Sequence, residues 1–319
     1  MDTMDKLRYD SYPQNLLQRY TIYVRNDAEI KVNLIMKILI LGATGMLGNS
    51  LFRFLSTDKN LDIYATSRSS SARSYFSKDL ADKIIPNVDV ENNDSLVEVL
   101  NKVKPNIVIN CIGLVKQLAD ANDPLKSLPI NSLLPHRLAR LCELINARFI
   151  HISTDCVFSG KKGNYKESDF PDCYDLYGRS KFLGEVDYPH AITLRTSIIG
   201  HELSGNRSLI NWFLSSEKAV KGFEKAIYSG FPTVELARII KDFVLTNTEL
   251  HGLYHVASKP INKLELLKLI AEIYNKKIDI IPSDELVIDR SLDATRFNEI
   301  TGYNPPEWKE LVKRMYDFG

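Results

Sequence analysis

From Met36 onward the chain alternates short apolar runs rich in β-branched residues, KILILGA, LDIYATS, KIIPNVDV, NIVINCIG, RFIHIST and AITLRTS, with longer segments of helical period. A strand that is apolar at every position must be covered on both faces, and helices inserted between consecutive strands supply that cover while forcing the strands parallel. The alternation therefore predicts an α/β fold, a Rossmann-type doubly wound parallel sheet, over 36–195. Between the strands, Leu133, Leu134, Leu138, Leu141 and Leu144 recur near helical spacing and predict a helix over Asn131 to Ile145. Beyond Arg195 the pattern loosens: SLINWFLSS, TVELARIIKDFVL and INKLELLKLIAEIY read as helices, broken by the short strands GLYHVAS and KKIDIIP. That change predicts a smaller C-terminal α/β domain over 196–319, mainly substrate-binding, with some elements returning to the first domain. Residues 1–35 are polar and mixed in charge, and are expected to form a non-catalytic N-terminal extension.

Charge and cysteine usage remove several classes of function. Lysine plus arginine number 41 against 40 acidic residues, so a net charge of +1 gives no whole-chain field for nucleic acid or an anionic membrane. The four cysteines, Cys111, Cys142, Cys156 and Cys173, include no Cys-x-x-Cys pair and no matching histidine spacing. Reduced thiols in a cytoplasmic protein without a metal site are the expectation. No apolar run approaches the roughly 20 residues of a membrane helix.

Any anionic ligand must then be met locally. LGATGMLGNSLFRFL places Gly42, Gly45 and Gly48, with Thr44, Met46 and Leu47 among them, directly after the first strand and at the mouth of the first helix. Glycines there let the backbone approach a pyrophosphate whose charge is met by the helix N-terminus and its free N–H groups. An NAD site usually presents Asp or Glu at the end of the next strand, where this chain has Thr66, Ser67 and Arg68. A cation with hydroxyl donors suits a 2′-phosphate, so NADPH is the expected cofactor, with NADH as second choice and Arg73 as a second cation. Asp89 and Val90, closing the third strand, are expected beside the adenine.

YDLYGRSKFLGE holds Tyr177 and Lys181 four residues apart at the start of a helical segment, one turn apart on one face. The ammonium is expected to lower the phenol's pKa and make it a proton donor near neutral pH. Thr154, ending the fifth strand, lies where open α/β sheets bind ligands and offers a hydroxyl to a substrate carbonyl.

These motifs, with Asn110 after the fourth strand and Ser153 beside Thr154, resemble those of an extended short-chain dehydrogenase/reductase. Within that superfamily HISTDCVFSGKKGNYKESD, YGRSKFLGE, LRTSIIGHE and SGFPTVELARII are similar to the dTDP-4-dehydrorhamnose reductase group over most of Met36 to Gly319. The resemblance implies Tyr177 as proton donor, Lys181 as the ribose-binding lysine, Thr154 as third triad member and Asn131 as support of the proton relay. It also implies cofactor contacts from Cys111, Ile112, Gly113 and Thr196, and substrate contacts from Val115, Lys116, Asp155 and Cys156. A homodimer is a further expectation.

The residues after Thr154 narrow the reaction. Nucleotide-sugar 4,6-dehydratases use an Asp-Glu pair there, whereas this chain has Asp155 followed by Cys156, which disfavours dehydration. Tightly NAD-binding 4-epimerases fit badly with Arg68, leaving net reduction of a keto sugar. A cysteine at 156 is similar to GDP-fucose synthases, where Cys and His exchange protons beside the ketone, and His201 sits near the matching histidine position. In the second domain Arg207, Lys221 and Arg290 suit a diphosphate, and Asn211, Trp212 and Phe223 a base or sugar face. The expected function is NADPH-dependent reduction of a dTDP- or UDP-activated 4-keto-6-deoxyhexose, serving bacterial surface polysaccharide synthesis. One alternative is a bifunctional 3,5-epimerase/4-reductase using Cys156 and His201; another is a non-catalytic NADP-binding regulatory subunit resembling the beta subunit of methionine adenosyltransferase.

Overall fold

The computed structural model describes residues 35–116 and 119–319; the predicted N-terminal extension otherwise lies outside the described residues. Six of the apolar runs become parallel strands: β1 (Met36–Leu41), β2 (Leu61–Thr66), β3 (Ile84–Ile85), β4 (Ile107–Asn110), β5 (Arg148–Thr154) and β6 (Ala191–Thr196). With Gly252–His255 they form a seven-stranded sheet ordered β3, β2, β1, β4, β5, β6, then Gly252–His255. The predicted doubly wound parallel sheet is therefore present. The order reverses between β1 and β4, whose last paired residues are Leu41 and Asn110. The carboxyl ends of the strands at such a reversal are the usual ligand site of these sheets. Both faces are covered, with Ile38 and Ile40 packing into one apolar core and Leu39 and Leu41 into the other.

Two elements depart from the periodicity. The third strand is cut to two residues because Pro86 has no amide hydrogen for the ladder and Asn87 turns to φ 61°. Asp89 and Val90 thus fall in the turn beyond it rather than closing it. The predicted Asn131 helix starts earlier, at Pro124, and runs through a wide π-type turn, Leu128–Leu133, before the regular helix Leu134–Leu144. Pro135 lacks the N–H that would bond the Asn131 carbonyl, which frees that oxygen to face the neighbouring helix. A Cβ at Gly184 would lie 1.9 Å from it, so glycine is required at the crossing.

In the C-terminal part, Leu209–Ser215, Thr233–Ile239 and Lys263–Ile273 are helices where the apolar spacing puts them. Thr233 accepts a 2.7 Å hydrogen bond from Ser50 of the first helix, Met46–Leu55. Three small sheets lie nearby, one joining Ala226–Tyr228 to Ile261–Asn262 and Ile288–Asp289.

Candidate active site

The glycine loop is built for a close visitor. Gly42 adopts φ +94°, and a Cβ there would come within 2.9 Å of Ile112. A Cβ on Gly48 would lie 2.0 Å from the Gly42 carbonyl oxygen, so this glycine serves packing of helix on strand. Gly45 is different: the nearest atom to its Cβ position is 3.6 Å away, and it has an ordinary φ of -72°. It is exposed, and the helix that follows has neither a side-chain cap nor an acidic residue in its first turn. Its first N–H groups therefore point outward with their partial positive charge uncompensated, which fits a pyrophosphate. Gly48→Ala is expected to destabilise the fold by about 3 kcal/mol or more, the upper end of overpacking. Gly45→Ala is expected to leave the melting temperature nearly unchanged while weakening dinucleotide affinity about tenfold. Thermal melts and titration with NADP(H) of both variants check the pair.

Thr44 is exposed, Met46 is half-buried and Leu47 is buried in the core, where only its backbone could serve a ligand. Ser67 is buried with its hydroxyl donating to the Ser69 carbonyl at 2.9 Å. Arg68 is exposed, with no hydrogen bond or ion pair among the described residues. Arg73 is tied instead to the Ile84 carbonyl through Nη2 at 2.8 Å, so the second cation expected for a 2′-phosphate is engaged with β3. Asp89 is exposed and Val90 buried in the second core. Cys111, Ile112 and Gly113 continue from β4 and are half-buried, and Thr196 ends β6, paired with Thr154 of β5.

Tyr177 and Lys181 sit on the helix Leu176–Leu183, whose N-cap Asp175 accepts from the Gly178 amide at 2.8 Å. Lys181 is buried and donates to the Ile152 carbonyl of β5 at 2.8 Å. Asn131 lies across Gly113 from it: a Cβ on Gly113 would be 3.3 Å from the Asn131 side-chain Oδ1 and 3.8 Å from Lys181 Nζ. The Asn131 amide accepts from Leu114 N at 2.9 Å and donates to Ser180 Oγ at 3.2 Å, fixing the loop after β4 against the Tyr177 helix. Asn110, the last residue of β4, faces His151 Nδ1 at 3.2 Å and accepts from Ile112 N at 3.1 Å, stiffening the same loop.

The electrostatics reverse one expectation. Burial pushes the Tyr177 phenol up from its ordinary value, reinforced by Cys156, while a hydrogen bond with Thr154 pulls the other way. Burial also pushes Lys181 down to about 8, opposed by the negative charge of Glu185. Desolvation of both groups outweighs any acidification of the phenol by the ammonium. The phenol is held protonated, the form a proton donor needs.

Asp155 and Cys156 lie beside this pair. Asp155 is buried and accepts from the Thr154 hydroxyl at 3.2 Å; burial raises its pKa, and the Arg290 charge lowers it. Burial also pushes the Cys156 thiol up to about 12, Asp155 adding to it and Arg290 opposing. Arg290 donates to the Phe158 carbonyl at 2.8 Å and reaches Cys156 Sγ at 3.8 Å. His201 is elsewhere: its Nε2 pairs with the Tyr274 hydroxyl at 2.8 Å, and it lines a crevice with Asn49, Arg53 and Phe318 on the far part of the first helix. His201 thus meets Tyr274 and the first helix while Cys156 meets Arg290, and the couple that the likeness to GDP-fucose synthases implied is not seen among these contacts.

The remaining substrate positions divide. Val115 is 46% exposed, and Lys116 pairs with Asp175 at 2.9 Å, both at the site's edge. Arg207 is exposed, Trp212 is 40% exposed, and Phe223 is half-buried. Asn211 spends its amide on the Glu202 amide at 3.1 Å and the Gly205 carbonyl at 3.0 Å, which holds a loop rather than offering a contact. Lys221 is paired with Glu285 at 2.7 Å on the surface. Two residues absent from the sequence-based set join the site: Lys263 and Tyr228, both electrostatically coupled to Asp155. One signal was available for Lys263, the first residue of its helix, where a cation opposes the helix dipole.

The family described as RmlD substrate binding domain matches residues 36–318. A dTDP-4-dehydrorhamnose reductase of Aggregatibacter actinomycetemcomitans is 24% identical over 304 residues, covering 88% of this chain and 98% of that one. Methionine adenosyltransferase 2 subunit beta of Danio rerio is 27% identical over 267 residues, covering 79% of this chain and 76% of that protein. Among solved structures, dTDP-4-dehydrorhamnose reductase from Bacillus anthracis in complex with NADP superposes with a TM-score of 0.72 at 23% identity, over 89% of this chain and 98% of that one.

Proposed function

We propose, from the premise that this chain belongs to the RmlD substrate binding domain family, that it is an NADPH-dependent oxidoreductase of nucleotide-activated sugars. The reaction is reduction of the C4 ketone of a dTDP- or UDP-activated 6-deoxyhexose, in the synthesis of surface polysaccharide. One observation carries the reading: a half-buried phenol, Tyr177, whose pKa burial raises and a Thr154 hydrogen bond lowers, stands one helical turn from the buried Lys181. The space at Gly45, the helix N-terminus without a side-chain cap and the exposed Arg68, unpaired among the described residues, fit a dinucleotide with a 2′-phosphate.

When bound, NADPH supplies the hydride. Thr154 and Tyr177 hold the ketone oxygen between two hydroxyls, and Tyr177 transfers its proton to that oxygen as the carbon is reduced, leaving a phenolate. Lys181, held to the Ile152 carbonyl, keeps a positive charge beside the phenolate while a proton returns from solvent. The C-terminal part, 196–319, binds the nucleotide sugar, with Arg290 toward the diphosphate. The protein's part is position and field rather than redox chemistry.

The second reading, a regulatory subunit, is favoured by the likeness to methionine adenosyltransferase 2 subunit beta. Assays with NADPH and a panel of dTDP- and UDP-4-keto sugars distinguish them. The reductase reading expects NADPH consumption, with kcat/KM present below and falling as pH rises through about 8, where Lys181 loses its proton. No consumption with any sugar, and stoichiometric capture of a partner enzyme, favours the regulatory reading.

A further inference from the structure

Two polar groups within the electrostatic reach of Asp155 have no hydrogen-bond partner among the described residues. Tyr228, on the strand Ala226–Tyr228, is 4% exposed, yet its hydroxyl makes no hydrogen bond among the described residues. Lys263 lies with Nζ 4.2 Å over the centre of the Tyr228 ring and forms no hydrogen bond or ion pair among the described residues. Burial drives Lys263 down to about 8, with the charge of Asp155 the first influence holding it up. Asp155 also acts on Tyr228, so the three groups share one electrostatic neighbourhood. Asp155 directly follows Thr154 and accepts its hydroxyl, which puts that place next to the reacting carbonyl.

Buried polar groups are almost always paired, and leaving one unpaired costs stability. Here the cost falls on the Tyr228 hydroxyl, whose ring lies under a half-buried ammonium at the positive end of a helix. The backbone is shaped to keep the ring there. A Cβ at Gly230 would stand 2.5 Å from the Tyr228 hydroxyl oxygen and 2.0 Å from the Ser197 carbonyl, so no larger residue fits. An ammonium has only hydrogens to give, and a phenol can give one, so an acceptor oxygen satisfies both at once. Arg290, engaged with the Phe158 carbonyl and pointing to Cys156, is the separate cation that suits a diphosphate.

We infer that Lys263 and Tyr228 form a donor pair for an acceptor oxygen on the sugar ring of the substrate, beside the carbonyl held by Thr154 and Tyr177, and that this pair selects which sugar is accepted. The inference deepens the reductase reading and rests on it for the identity of the ligand. A site built to hydrogen-bond a substrate oxygen rejects the analogue lacking it, because its own groups are then buried unpaired. A ring hydroxyl, an acetamido carbonyl or a carboxylate would each supply the oxygen.

Calorimetric binding to the full chain in the presence of NADP+ tests this, because it does not depend on turnover. The probes are UDP and dTDP alone, their hexose conjugates with a hydroxyl or acetamido group, and the conjugates lacking that oxygen. Tyr228→Phe and Lys263→Met are each expected to weaken binding of an oxygen-bearing conjugate about 10- to 100-fold and to leave the bare nucleotides unchanged. Each should also erase the wild type's preference over the deoxy conjugate. Tyr228→Phe should melt at the same temperature as the ligand-free wild type or higher, since it removes an unpaired hydroxyl. Equal weakening toward the bare nucleotides would assign the pair to the diphosphate and overturn the inference, as would unchanged affinity for every conjugate. A wild type that binds the conjugates with the expected preference but never reduces them would leave the donor pair standing and remove the reductase reading instead.

Discussion

Tyr177→Phe is expected to lower kcat/KM for keto-sugar reduction by about 10²- to 10⁴-fold, the range that positioned proton donors contribute. The ring stays, so NADP(H) affinity and melting temperature should change little. The sign of the pKa shift strengthens the case: because burial holds the phenol protonated, a donor is present throughout the neutral range. The loss at high pH should come from Lys181, which titrates at about 8. A residual rate in the variant that keeps the same pH dependence would agree, since the lysine is untouched. Steady-state kinetics with binding measured separately decide it.

Glu185→Ala is expected to be the most destabilising single change at the back of the site, by about 3–5 kcal/mol, the cost of stranding a buried charge. Glu185 accepts from Ser153 Oγ at 2.6 Å and from Arg195 Nε at 2.7 Å and Nη2 at 2.6 Å. Arg195 is 2% exposed, so without that carboxylate its guanidinium has no anion to face. Its other neighbours among the described residues, the Phe158 ring and His255, carry no anion to substitute. The His255 ring donates from Nδ1 to the Tyr165 carbonyl at 3.0 Å, accepts from Arg195 at 3.3 Å, and is kept neutral by a pKa pushed down to about 4 by burial and then by Arg195. Glu185 also supports the charge of Lys181, so the milder Glu185→Gln should move the alkaline fall in activity to lower pH. Denaturant unfolding of the first variant and a pH profile of the second read the two effects separately.

The sheet was legible because its central strands are largely buried on both faces and β1 and β4 spell that burial as nearly continuous apolar runs. The third run was legible as a strand but not in its length, since Pro86 ends the ladder within it. Gly42, Gly45 and Gly48 were readable as a loop, whereas their division of labour was not: only the packed structure separates Gly48, crowded by a carbonyl, from Gly45, open to a ligand. Tyr177 and Lys181 lie on one helix as their spacing implied and Thr154 ends β5, yet the phenol shifts up rather than down, because sequence shows a neighbouring charge and hides burial. His201 was misplaced for a similar reason: its distance from a motif along the chain says nothing of where the chain crosses the first helix. Lys263 and Tyr228 lie about a hundred residues or less from Asp155 in sequence and were invisible to local pattern, because only the returning C-terminal segments bring them beside it.

The central claim, reduction of a sugar ketone at the Tyr177 and Thr154 hydroxyls, is tested most directly by isotope transfer. Purified protein given NADPH deuterated at the nicotinamide C4 and a nucleotide-activated 4-keto-6-deoxyhexose should place deuterium on the new C4 carbinol carbon from one face only, with one NADPH oxidised per alcohol formed. Intact NADPH and unreduced keto sugar after prolonged incubation with folded, NADP-binding protein would contradict it.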